Sequence, residues 1–129
     1  MPTVLIIEDD PSSREGYAAL VRDALGYTVV TADDGERALD LMRAGLTPQL
    51  IVLDLALPQM DGFAFREQQL ADPAIPNCPA LICSGNLDHA TDLERLKGAA
   101  FLEKPIEPAA FVRLVSAFCA AESPSPSPP

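Results

Sequence analysis

The sequence predicts an α/β fold, a doubly wound parallel sheet of five strands with five helices. Short apolar runs alternate with stretches of helical spacing along the whole chain, which is the pattern of repeated strand-then-helix units. Their connections are short, and this forces the strands parallel with right-handed crossovers. Three runs stop at a carboxylate or a hydroxyl, at the sheet edge where open α/β folds build their sites.

The elements follow in order. Val4-Leu5-Ile6-Ile7 is the first strand, and it runs into Glu8-Asp9-Asp10. Pro11-Ser12-Ser13 starts a helix that Asp10 is placed to cap; Tyr17, Leu20, Val21, Ala24 and Leu25 recur at helical spacing until Gly26 stops it. Thr28-Val29-Val30-Thr31-Ala32 is a β-branched second strand, and Asp33-Asp34-Gly35 opens a short helix through Ala38, Leu39, Leu41 and Met42 to Gly45. Leu50-Ile51-Val52-Leu53 is the third strand and ends at Asp54. A third helix is expected from about Gly62 to Leu70, and Pro73, Pro76 and Pro79 mark the loop that follows. Ala80-Leu81-Ile82-Cys83 then runs into Ser84, and a further helix is expected from about Asp88 to Leu96. Phe101 and Leu102 mark a short fifth strand before Lys104-Pro105, and Pro108 starts a final helix with Phe111, Val112, Leu114, Val115 and Phe118 on its apolar face.

Composition bounds the class of function. At 129 residues and 48% apolar content the chain can build one domain core. Residues 1–121 are expected to form it, while the Ser/Pro-rich stretch 122–129 reads as an extended tail or a linker toward an effector. No apolar run is long enough for a transmembrane helix and the N-terminus lacks a signal-peptide pattern, so a cytoplasmic location is expected. A net charge of −10 with only nine scattered basic residues argues against a direct grip on nucleic acid. The three cysteines form no CxxC pair and read as reduced thiols, and the single His89 reads as a surface residue that offers no basis for a histidine metal site or a triad.

The chemistry gathers at the carboxyl ends of the strands, which supply Glu8, Asp9, Asp54, Ser84 and Lys104. Two like charges about 4 Å apart repel by roughly 4 kcal/mol at an effective dielectric near 20, so something positive is expected among them. Glu8, Asp9 and Asp54 offer hard oxygen ligands, too few for a closed cage, which suits Mg²⁺ with waters and a substrate phosphate. A carboxylate is ionised at neutral pH and can itself attack phosphorus. Its negative charge is the obstacle, and a metal on one side with the Lys104 ammonium on the other would neutralise it. Ser84 can donate one hydrogen bond to a phosphoryl oxygen.

Four strings carry a family resemblance. Ile6-Ile7-Glu8-Asp9-Asp10-Pro11, Leu53-Asp54-Leu55-Ala56-Leu57-Pro58-Gln59-Met60-Asp61-Gly62, Cys83-Ser84-Gly85, and Gly98-Ala99-Ala100-Phe101-Leu102-Glu103-Lys104-Pro105 resemble the receiver domain of two-component response regulators. The resemblance spans about residues 3 to 120 and implies a flavodoxin-like fold of strand order 2-1-3-4-5, in a stand-alone receiver. It implies that Asp54 accepts phosphate from a histidine kinase or phosphotransfer protein. Asp9 and Asp54 would bind Mg²⁺ with the backbone carbonyl of Ala56, and Glu8 would act through a bound water. Lys104 would pair with the phosphoryl group, the Lys104-Pro105 bond would be cis, Ser84 would move toward the phosphate, and Phe101, where many receivers carry tyrosine, would turn inward to fill the space vacated. Asp61-Gly62 would be a turn. The output would be a surface for a downstream protein partner, altered by a slightly short stretch between Ser84 and Lys104. Two other readings compete: an unphosphorylated docking module, and a phosphatase working through an aspartyl phosphate. The phosphatase typically needs a second Asp two residues after the nucleophile, where this chain has Ala56.

Overall fold

The computed structural model describes residues 2–57, 59–75, 77–85, 94 and 100–122. The strands are β1 (Thr3–Ile7), β2 (Thr28–Ala32), β3 (Leu50–Asp54), β4 (Ala80–Ser84) and β5 (Ala100–Glu103). They form one sheet of order β2-β1-β3-β4-β5 in which every neighbouring pair is parallel. The helices among the described residues are α1 (Pro11–Leu20), α2 (Gly35–Arg43), α3 (Gly62–Ala71) and α4 (Pro108–Glu122). The expected helix near Asp88 to Leu96 lies outside the described residues apart from the helical Glu94, and so do His89 and the tail from Ser123 onward.

Strand alternation sorts the core into two layers. Leu5, Ile7, Ile51, Leu53 and Ile82 face one side and pack with Leu39 and Met42 of α2 and Phe65 of α3. Val4, Ile6, Leu50, Val52 and Leu81 face the other and meet Ala18 of α1 and Phe111, Val115 and Cys119 of α4. Both faces of the sheet are therefore covered by helices, as its near-continuous apolar strands require. The three cysteines are buried and form no disulfide. No helix of the described residues is long and apolar enough to cross a membrane.

Carboxylates set the helix starts. Asp10, Asp34 and Asp61 each accept a hydrogen bond from the backbone N–H three residues on, at 2.8, 2.7 and 2.9 Å. Glu107 does the same for the Ala110 N–H at 3.0 Å. Each bond satisfies a donor that the first turn leaves without an intrahelical partner.

Asp61 caps α3, so the Asp61-Gly62 turn implied by the resemblance is the entry to the helix expected from Gly62. One detail differs from the expectations: the segment up to Gly26 ends as a π-helical turn over Val21–Leu25, closed by Gly26 at φ 70°. The final helix runs to Glu122.

Candidate functional site

Parallel register brings the ends of β1, β3 and β5 to one edge of the sheet. Asp54 is the last residue of β3 and pairs with Cys83 of β4, while Ser84 pairs with Glu103 of β5. Glu8 directly follows β1, and its N–H donates to the Ala32 carbonyl of β2 at 3.1 Å. Lys104 directly follows β5, and its N–H donates to the Ser84 carbonyl at 2.9 Å. The Lys104-Pro105 peptide is cis.

The charges meet there. Lys104 Nζ donates to Asp54 Oδ2 at 3.1 Å and stands 3.5 Å from Glu8 Oε1. Asp54 is 4% exposed and Glu8 2%. The other Asp54 oxygen, Oδ1, accepts from the Ala56 N–H at 3.1 Å, and Glu8 Oε2 accepts from the Asp10 N–H at 3.2 Å. Asp9 is exposed and completes a set of three carboxylates with one oxygen each within 4.8 Å of the others.

The electrostatics are poised for a cation. Burial pushes the Glu8 carboxyl up to about 7; the Asp10 N–H opposes the rise, and the adjacent Asp54 adds to it. Burial also works against the Lys104 charge, but the Asp54 bond and the Asp54 and Glu8 charges outweigh it and hold the ammonium above its ordinary value. Three carboxylates at this spacing repel by about 3 kcal/mol per pair at an effective dielectric near 20. One ammonium leaves the ionised cluster two charges short of neutral, the deficit a divalent cation balances.

A second observation agrees. Glu8 Oε1 is buried and, although Lys104 lies 3.5 Å away, accepts no hydrogen bond, which a metal-bound water would supply. Hard, ionisable oxygens at an open edge suit Mg²⁺, which keeps several waters. Glu8, Asp9 and Asp54 are the residues that could hold it.

The remaining expected residues are placed as follows. Ser84 is half-buried at the end of β4, Phe101 is half-buried in β5 opposite Ile82, and Ala56 is exposed just past Asp54. Two features escaped the sequence reading. Arg14 of α1 donates from Nη1 to the carbonyls of Glu8 at 3.0 Å and Asp9 at 3.4 Å. The signal for it was a cation on the first turns of the helix that begins directly after the acids. On α3, buried Arg66 donates to Gln69 Oε1 at 2.7 Å and to the Cys78 carbonyl at 3.0 Å, tying that helix to the lead-in of β4. Two polar residues within a helical stretch read as solvent-facing, so nothing marked them.

Known proteins share this arrangement of chain and fold. An uncharacterized 14.6 kDa protein of Leptolyngbya boryana is 30% identical over 123 residues, covering 94% of this chain and 92% of that one. Hybrid signal transduction histidine kinase D of Dictyostelium discoideum is 34% identical over 106 residues, 81% of this chain but 7% of that protein. The solved receiver domain of a sensor histidine kinase from Pseudomonas aeruginosa has a magnesium ion coordinated in its active site cleft. It superposes with a TM-score of 0.79 at 23% identity, covering 92% of this chain and 98% of that one. Residues 4–116 match the family model described as the response regulator receiver domain, and by that match the chain belongs to the receiver family.

Proposed function

We propose that Asp54 is a phosphoacceptor in two-component signalling, taking a phosphoryl group from a histidine kinase or phosphotransfer protein in a Mg²⁺-dependent reaction. The carrying observation is the Asp54 carboxylate itself, 4% exposed and held by Lys104 beside Glu8 and Asp9. Asp54 acts as the nucleophile: a carboxylate oxygen bonds to phosphorus as the phosphorus–nitrogen bond of the donor histidine breaks, its electron pair returning to that ring nitrogen, and the imidazole leaves neutral because its other nitrogen carries the proton. The Ala56 N–H on Oδ1 and the Lys104 ammonium on Oδ2 keep the carboxylate oriented. Lys104 is then positioned to follow the phosphoryl oxygens as negative charge builds on them. Asp9, Asp54 and the Ala56 carbonyl would hold Mg²⁺, with Glu8 acting through a bound water, and the ion would supply charge neutralisation of the phosphoryl group.

The output is protein binding, and the module is a signalling device whose only chemistry is its own phosphorylation and dephosphorylation. Ser84 at the end of β4 donates to the phosphoryl group, and Phe101 responds by burial, so that a downstream partner reads the new arrangement. Residues 1–121 act as the receiver unit. The test is incubation with Mg²⁺ and acetyl phosphate, followed by intact-mass measurement. A gain of one phosphoryl group is expected, absent in Asp54→Asn and in EDTA. No gain, with acetyl phosphate and with histidine-phosphorylated donor protein alike, overturns the phosphoacceptor reading and leaves the docking module.

A further inference from the structure

We propose that Arg14 is a positioning residue for the metal-binding acids, acting by locking the backbone of Asp9. The inference rests on the metal reading above and extends it to a residue outside the ligand set. One guanidinium nitrogen, Nη1, reaches the carbonyls of both Glu8 and Asp9, at 3.0 and 3.4 Å. Those carbonyls belong to the two peptide planes on either side of the Asp9 Cα. Holding both planes from one rigid, planar group restricts φ and ψ of Asp9 together.

Asp9 needs such help. Glu8 is anchored by burial, by its own N–H on Ala32 and by the Asp10 N–H on its carboxylate; Asp54 is anchored in the β3 ladder. Asp9 is exposed, so burial does not anchor it as it does Glu8 and Asp54. Arg14 is itself half-buried and carried by α1, whose start is set by Pro11 and by the Asp10 cap. The same short helix turn thus positions the acid and its clamp.

Charge and position predict opposite signs, which makes the idea decidable. A nearby cation acting through its charge alone would repel Mg²⁺, so its removal would tighten binding. A clamp that pre-pays the ordering of one residue's backbone would on removal weaken binding, by about five- to thirtyfold.

Amide NMR titration with MgCl₂ on the full chain tests this. Arg14→Met is expected to weaken Mg²⁺ five- to thirtyfold, and Arg14→Lys, which keeps the charge but loses the planar fork, to weaken it by a smaller factor of about two to five. The metal-free thermal midpoint in EDTA is expected to change little, since the bond to the Asp9 carbonyl is exposed and that to the Glu8 carbonyl only part-buried, so water can replace the lost donor. In an Asp9→Asn background, Arg14→Met is expected to cause no further loss, because the residue it positions is gone. Equal or tighter binding by Arg14→Met overturns the proposal. So does a loss of the same size in the Asp9→Asn background, which marks a general structural role. If Arg14→Met does not fold, unchanged binding by Arg14→Lys overturns it. Absence of Mg²⁺ binding by the unmutated chain overturns the metal reading itself, a result distinct from any change between variants.

Discussion

A side-chain carbon added at Gly62 would run into Leu55 Cδ2 and would lie 2.8 Å from the Leu55 Cα and 3.2 Å from the Asp54 carbonyl oxygen. The Gly62 N–H donates to the Leu55 carbonyl at 3.0 Å, so the first turn of α3 is pressed onto the backbone that carries Asp54. Gly62→Ala is therefore expected to destabilise the fold by about 2 kcal/mol, read from urea unfolding, and to shift the Asp54 and Leu55 amide resonances. Gly16 is the contrast: it lies in α1 with nothing within 4 Å of the added carbon. Gly16→Ala should stabilise by about 0.5–1 kcal/mol. A cost at Gly62 no greater than a few tenths of a kcal/mol would show that the close approach carries no weight. The sequence places Gly62 at the start of the third helix, directly after an aspartate. Whether a methyl group fits is decided by Leu55, which no local pattern reveals.

Elements were the most legible scale. All five strands appear where apolar runs placed them, and β2 has the expected bounds, Thr28–Ala32. The differences at the other strands have a common cause: parallel neighbours extend the ladder through polar ends, so Asp54 and Ser84 join β3 and β4 by pairing with Cys83 and Glu103. The π-helical turn at Val21–Leu25 was not legible, because apolar spacing near 3.6 does not distinguish it from α-helix. Helix starts were partly legible, and Asp10 shows how they work. The Ser13 N–H is the main cause that lowers the Asp10 carboxyl below its ordinary value of 3.8, followed by the Ser13 side chain, with Lys104 and Arg14 adding a little. A folded-state value below the unfolded one gives stability that is present above about pH 4 and is lost as pH falls through the folded value. Asp10→Asn keeps the capping acceptor without the charge. The wild-type chain should therefore exceed Asp10→Asn in urea midpoint at pH 6, and the difference should shrink as pH falls below about 4. A difference that stays constant with pH would remove the carboxylate from the account of α1.

At the scale of the whole molecule, topology does what no local pattern can. Asp54 and Lys104 are 50 residues apart in sequence and 3.1 Å apart in space, because β3 and β5 flank β4 in one parallel sheet. That convergence was foreseeable from the strand ends once the strands were taken as parallel. The partner of each carboxylate oxygen was not, since it depends on side-chain reach across the edge. The same fold concentrates charge: 19 acidic against nine basic residues, with three acids within 4.8 Å of one another at one point. Two effects of added salt must therefore be separated. Sodium chloride should raise the thermal midpoint modestly by screening the net charge of −10, and it should do so equally in the wild type and in Asp9→Asn. Mg²⁺ at matched ionic strength should add a further increment in the wild type, about 1.4 kcal/mol when its concentration is ten times the wild-type dissociation constant. Asp9→Asn keeps the sheet, the Lys104 pair and nearly all the net charge but binds the ion more weakly, so the same Mg²⁺ concentration should add a clearly smaller increment there. Equal responses of wild type and Asp9→Asn to Mg²⁺ would mean that the acids at the sheet edge are merely part of a diffuse negative surface, and would remove the metal from the site.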